Sequence, residues 1–160
     1  MKKKSDGMTF VEVIIAVAIV AVAILGTMAF RYYCNINARV SDVQMTAARI
    51  GLLLLEDWKA AVGSTTYSPI GRFPADPNLV ITTGGSGAST PTGFTALNNN
   101  YQVRSNRVVF NSTLSYQDDT ANSPPLVPRK LNVHITWRPD WQAGAAVSGF
   151  ESFSMTTYAY

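Results

Sequence analysis

A charge-free apolar run from Val13 to Phe30, entered through one carboxylate at Glu12 and preceded by Lys2, Lys3 and Lys4, constrains this chain more than any other feature. At ~1.5 Å rise per residue the run makes about 27 Å of helix. With Phe10 and Val11 it nearly matches the ~30 Å hydrocarbon thickness of a bilayer. Ala, Val, Ile and Leu fill it, so such a helix has no polar face to turn to water. Glu12 is the anomaly. A carboxylate costs roughly 2.5–3.5 kcal/mol near the centre of a membrane helix and less near an interface. Neither an ordinary secretory signal nor a plain anchor has a use for it. One reading is local: Thr9-x-x-Glu12 fits a capping box, in which the Glu returns to the first backbone donors of the helix. An acid in the opening turn also suits the helix dipole.

The surroundings of Glu12 supply a second reading. Gly7 stands between the charged leader and the large apolar Met8, and Glu12 follows that glycine by five residues. Together with the apolar run, this resembles the class III signal of type IV prepilins and of type II secretion pseudopilins. The resemblance covers residues 2 to about 31. It implies cleavage after Gly7 by a prepilin peptidase, N-methylation of the new first residue Met8, and an assembly role for Glu12, which would pair with the α-amine of a neighbouring subunit. It also implies a transmembrane and filament-core helix whose apolar stretch runs from Val13 to Phe30. Two departures stand out: Met8 occupies the place where the family most often has Phe, and Ala29 the place where major pilins often have Pro. The second points away from a major pilin.

Composition narrows the alternatives. The chain has 160 residues and a formal net charge of +3, enough for one compact domain beside the helix. The basic excess is a feature of the leader: Lys2, Lys3, Lys4 and Asp6 all lie in residues 1–7, and the remainder is nearly neutral. No basic cluster suits a nucleic-acid backbone. Lysines on the short side of the apolar run favour a cytoplasmic N-terminus with the rest outside; Arg31 and Arg39 on the far side make that bias modest, and the resemblance implies the same orientation. Cys34 is the single cysteine, so no intrachain disulfide exists. It reads as a small packing residue.

Beyond the apolar run, Arg31-Tyr32-Tyr33 has the character of an interfacial belt. Ile36, Val40, Val43, Ala47, Ile50, Leu54 and Trp58 then recur every three or four residues, a helical stripe. The spacing predicts one helix from about Phe10 to Ala61, closed by Gly63, with Leu52-Leu53-Leu54-Leu55 as its most deeply covered turn. Residues 63–100, rich in Gly, Ser, Thr, Pro and Asn, read as a variable loop, with one short edge strand at Leu79–Thr83. From Tyr101 the period becomes two. Tyr101 to Tyr116 reads as a hairpin turning at Ser105-Asn106, Leu131 to Trp137 as a half-buried strand, and Phe150 to Tyr160 as the last strand. The expected organisation is a leader (1–7), a membrane helix (8–30), its amphipathic continuation (31–62), the loop (63–100) and an antiparallel sheet domain (101–160). The fold class is α+β, a long N-terminal helix packed on a small antiparallel sheet. This order resembles V-type minor pilins and I-type minor pseudopilins.

Other candidate chemistry is sparse. His134 is the only histidine, on the solvent side of a strand, and no metal site is expected. Asp118-Asp119 offers too few oxygens for calcium. Asn111-Ser112-Thr113 matches a glycosylation acceptor but falls on a strand. No nucleophile elbow or phosphate loop is present, so neither enzymatic activity nor a cofactor is expected. The resemblance implies a subunit of a bacterial type IV pilus or secretion pseudopilus. Such a protein is first anchored in the inner membrane by a single pass, with its C-terminal domain in the periplasm. Its partners are the peptidase, major and minor pilins or pseudopilins, and the inner-membrane assembly platform. The rival reading is an exported or anchored domain using residues 1–30 only as a signal, with Ala21-Val22-Ala23 mimicking a cleavage site.

Overall fold

The computed structural model describes residues 9–73, 78–85, 87, 90–105, 108–118, 128–138 and 150–159. The elements are α1 (Phe10–Ala60), β1 (Leu79–Thr83), β2 (Thr95–Ser105), β3 (Val108–Gln117), β4 (Arg129–Trp137) and β5 (Glu151–Ala159). The chain divides into two compact units, Met1–Ser41 and Asp42–Tyr160, with the boundary inside α1.

In the first unit, every helical residue from Phe10 to Phe30 is exposed. Leaving a Val, Leu, Ile or Phe side chain in water forgoes roughly 1.5–3 kcal/mol, so this stretch is built for an apolar environment. It forms part of a helix long and apolar enough, by length and composition, to cross a membrane. Cys34 is also exposed, not packed as expected.

The second unit is a helix on a sheet. Among the described residues five antiparallel strands lie in the order β1-β2-β3-β4-β5, so each pairs with its sequence neighbour. Alternation works as the pattern predicts. Phe110 and Leu114 of β3, and Leu131, Val133, Ile135 and Trp137 of β4, all face one core. From α1 come Ala47, Ile50, Gly51, Leu54, Leu55 and Trp58. Gly51 allows close approach: a Cβ there would stand 3.3 Å from Ile135 Cδ1 and 3.5 Å from Phe153 Cε1.

Three expectations need correction. The four-leucine turn is not covered all round, because Leu54 and Leu55 are buried while Leu52 and Leu53 are 51% and 37% exposed. A helix lying on one sheet buries one face, whatever its composition. β2 begins at Thr95, within the segment read as loop, because Asn98, Asn99 and Asn100 hide its alternation; its pairing with β3 shifts register between Ala96 and Asn100. On β4, Asn132 is buried although it points away from the helix. Its amide donates to Ser154 Oγ (2.9 Å), Thr156 Oγ1 (2.9 Å) and the Met155 carbonyl (3.2 Å), and its Oδ1 accepts from Ser115 Oγ (3.4 Å). A buried amide with that set of partners carries no desolvation penalty of the unpaired kind.

The helix ends in a Schellman arrangement. Gly63 N–H donates to the Trp58 carbonyl (3.0 Å) and Val62 N–H to the Lys59 carbonyl (2.9 Å). The left-handed residue that closes it is Val62, at φ +56°, followed by Gly63 at +61°. Gly63 is required for space as well, since a Cβ would meet Leu131 Cδ2 at 3.1 Å and Ala159 Cβ at 3.2 Å. Arg129 holds this end down. Its Nη1 donates to the Gly63 carbonyl (2.6 Å), its Nε pairs with Asp118 (2.5 Å), and its guanidinium lies 4.7 Å over the Tyr116 ring. The chain after the helix is pinned back by a second cluster. Trp58 stacks on Tyr67 (5.7 Å), and Asp57 accepts from Tyr67 Oη (2.7 Å) and Arg72 Nε (2.6 Å).

Two outcomes follow. Val62 is exposed, so its side chain contributes little packing, while a non-glycine left-handed residue costs about 1–2 kcal/mol. Val62→Gly should therefore raise the melting temperature by about 2–4 °C, allowing for the extra unfolded-state entropy of glycine. A lower melting temperature would contradict the left-handed cap. Asp57 is coupled to pH. Burial alone pushes its carboxyl up, but hydrogen bonds from Arg72 and Tyr67 and the Arg72 charge outweigh this and hold it below the usual value. A lowered folded-state pKa contributes stability that is full above the ordinary carboxylate value of ~3.9 and is lost as pH falls through the folded one. Thermal unfolding from pH 6 down to about pH 2.5 should show a smaller acid loss in Asp57→Asn than in the parent protein. Equal slopes would remove Asp57 from the acid response.

Candidate processing and assembly site

Gly7 and Met8 lie outside the described residues, so the site is built from Thr9 onward. Thr9 precedes the first helical residue, and Val13 N–H reaches its carbonyl (3.3 Å). Glu12 Oε2 accepts from both Thr9 N–H (2.7 Å) and Thr9 Oγ1 (3.0 Å). This is the Glu half of a capping box. The Thr hydroxyl spends its proton on the same carboxylate oxygen. In the single chain, then, Glu12 is exposed and its Oε2 is satisfied by its own turn.

Beyond this turn the helix is uniformly apolar to Phe30, then changes character at once. Arg31 is followed by Tyr32 and Tyr33, whose rings meet edge to face at 6.0 Å. Between Val13 and Phe30 the hydroxyl of Thr27 is internally satisfied, donating to the Ile24 carbonyl at 2.8 Å. A hydroxyl so bonded is compatible with an apolar surrounding.

The remaining sequence candidates are scattered. His134 sits on the outer face of β4 opposite Thr113 and Ser154. It is half-buried there, and burial pushes its pKa below the usual histidine value. Asp118 commits both oxygens to Arg129, at 2.5 and 3.1 Å; Asp119 lies outside the described residues. Ser112 and Thr113 of the glycosylation-like triplet are buried within β3. Among the described residues no three His, Cys, Asp or Glu side chains are placed to hold a metal ion. The Asp57–Tyr67–Arg72 cluster and the Arg129 clamp were not anticipated. Their partners lie up to 66 residues apart in sequence, and no local pattern marks them.

No curated protein and no solved structure matches the chain. One family model does, over residues 2–28, and its description is the prokaryotic N-terminal methylation motif. The match spans Gly7, Met8 and Glu12 and ends inside the apolar run. The chain thus carries the prokaryotic N-terminal methylation motif, in keeping with the class III signal peptide of a type IV prepilin-like protein.

Proposed function

We propose that this chain is a minor, structural or priming subunit of a type IV pilus or type II secretion pseudopilus. It is cut after Gly7 by a prepilin peptidase and N-methylated at Met8. The observation that carries the reading is one carboxylate held at the mouth of a fully apolar helix inside the methylation motif. Before assembly the protein is anchored in the inner membrane, its N-terminus cytoplasmic and the unit from Asp42 onward periplasmic. The assembly platform and the neighbouring pilins or pseudopilins are its partners. Ala29, in the place of the Pro common in major pilins, supports the minor assignment.

Glu12 then has two successive partners. In the isolated subunit Thr9 satisfies it locally. During assembly the α-amine created at Met8 of a neighbour replaces that bond with an ion pair, which is far stronger in a low-dielectric filament core than in water. A wrong register leaves the charge in apolar surroundings with only its local bonds. Glu12 thereby selects the depth at which a subunit docks. The sheet unit does no chemistry in this scheme.

Mass spectrometry of the protein purified from membranes tests the processing. A mature chain beginning at methylated Met8 is expected; one beginning near Ile24 points to a secretory signal, and an intact Met1 to a plain anchor. Gly7→Val, which adds a branched side chain where the peptidase needs close backbone approach, should leave the precursor inserted but uncut. Cleavage at Met8 in that variant would reject the site. Glu12→Gln separates the two roles of the carboxylate. Gln can complete the capping box, so insertion and cleavage should persist, while incorporation into sheared filaments should fall at least tenfold. Parent-level incorporation would reduce Glu12 to a helix cap.

A further inference from the structure

From Asp42 onward α1 carries a second stripe, on the side away from the sheet. Asp42, Met45, Arg49, Leu52, Glu56 and Lys59 are spaced 3, 4, 3, 4 and 3, and all are exposed. At 3.6 residues per turn they lie opposite Ala47, Leu54 and Trp58, which face the core. Met45 and Leu52 leave 53% and 51% of their surface open to solvent. The spacing is that of a two-helix seam: Met45, Leu52 and Lys59 fill one position of the heptad, and Asp42, Arg49 and Glu56 fill the other. The charge at that second position changes sign at every heptad. Among the described residues none of these charges is in an ion pair; the pairs present join Arg72 to Asp57 and Arg129 to Asp118.

We propose that this stripe packs against the same stripe of a second copy of this chain, parallel and displaced along the axis by seven residues. Both copies enter the membrane by the same end, so their helices run in the same direction. The alternation of charge then leaves one register. A pair in register sets Asp42 on Asp42, Arg49 on Arg49 and Glu56 on Glu56, and a displacement of two heptads sets Asp42 on Glu56. A displacement of one heptad sets Asp42 on Arg49 and Arg49 on Glu56, with Met45 on Leu52 between them. Lys59 then lies on Leu52 and covers it with its stem. Seven residues are about 10 Å of helix at ~1.5 Å per residue. Exposed ion pairs add little affinity, so the charges choose the register while the apolar halves of the helices hold the copies together. The contact is head-to-tail and does not close on itself, so it extends a row of subunits. Two copies anchored at one depth in a membrane do not make it; it forms when one is raised past the other. The inference therefore rests on the filament reading and names one neighbour within it.

The test uses the full-length chain in the cells that produce it, recovered in sheared filaments. In a Cys34→Ser background, chains carrying Met45→Cys and chains carrying Leu52→Cys are made separately and together, then oxidised. Opposed seam residues come within disulfide reach, and residues displaced by a heptad do not. The mixture should therefore cross-link at least tenfold more than either variant alone. Adding Arg49→Glu to both chains leaves acids at all three charged positions and should reduce that cross-link at least tenfold. Adding Asp42→Arg and Glu56→Arg as well restores the alternation with signs reversed and should recover it, which also shows that the variants fold. Met45→Cys cross-linking to itself as readily as to Leu52→Cys would overturn the proposal. So would Arg49→Glu chains that cross-link like the parent, or reversed chains that fail to recover. A mixture without cross-link, in chains cut after Gly7 and present in the filaments, would overturn the proposal alone. Chains left uncut or absent from the filaments would overturn the filament reading and this inference with it.

Discussion

The packing of the sheet unit depends on how closely α1 approaches β4 and β5 at Gly51, where no side chain keeps the two apart. With the helix seated there, Leu54, Leu55 and Trp58 are brought down onto Leu131, Val133 and Ile135, and the end of the helix arrives beside β4 and β5. Each buried large apolar side chain is worth roughly 1.5–3 kcal/mol, so the seating sets most of the favourable energy of the unit. The clamp by Arg129 and the Asp57–Tyr67–Arg72 cluster are consequences of that placement. They fix polar groups at the rim of a core whose position the apolar contacts have already set.

A single helix here answers to two kinds of surroundings. From Val13 to Phe30 it turns no polar face outward; from Asp42 only one face is buried. The change is written in side chains alone, because the backbone hydrogen-bond ladder is the same in water and in lipid. A helix closes that ladder internally, which is why one element serves both environments. A strand could not serve as a single span, since its edge groups would be left without partners in an apolar medium.

Much of this was legible from sequence. The apolar run, the three-and-four spacing from Val43 to Trp58 and the alternation of Leu131, Val133, Ile135 and Trp137 each repeat a physical period, and each matched an element. What escaped was non-periodic. Asn98 to Asn100 lie in a strand because β3 pairs with Ala96 and Asn100 on either side of a register shift, against the weak strand preference of asparagine. Leu52 and Leu53 are exposed because geometry, not hydropathy, decides which face meets a sheet. Val62 takes the left-handed place next to a glycine that spacing had marked as the cap, since Gly63 is held for its small size against Leu131 and Ala159. At the site, the capping geometry of Thr9 and Glu12 was readable because it is local. The role of Glu12 toward another subunit is not a property of one chain.

Asn132 has a consequence for how the last strand finds its place. Apolar alternation forbids β5 to slip by one residue, since Phe153 and Met155 would turn outward. It does little to forbid a slip by two, which keeps every side chain on its own face. The amide of Asn132 removes that ambiguity in one direction: it binds Ser154, Thr156 and the Met155 carbonyl together. A two-residue slip would set this amide between either Ser152 and Ser154 or Thr156 and Tyr158, and in the second case a phenol replaces a short hydroxyl that reaches it. A slip toward Tyr158 is thus opposed by one buried polar side chain, which apolar alternation alone would not do.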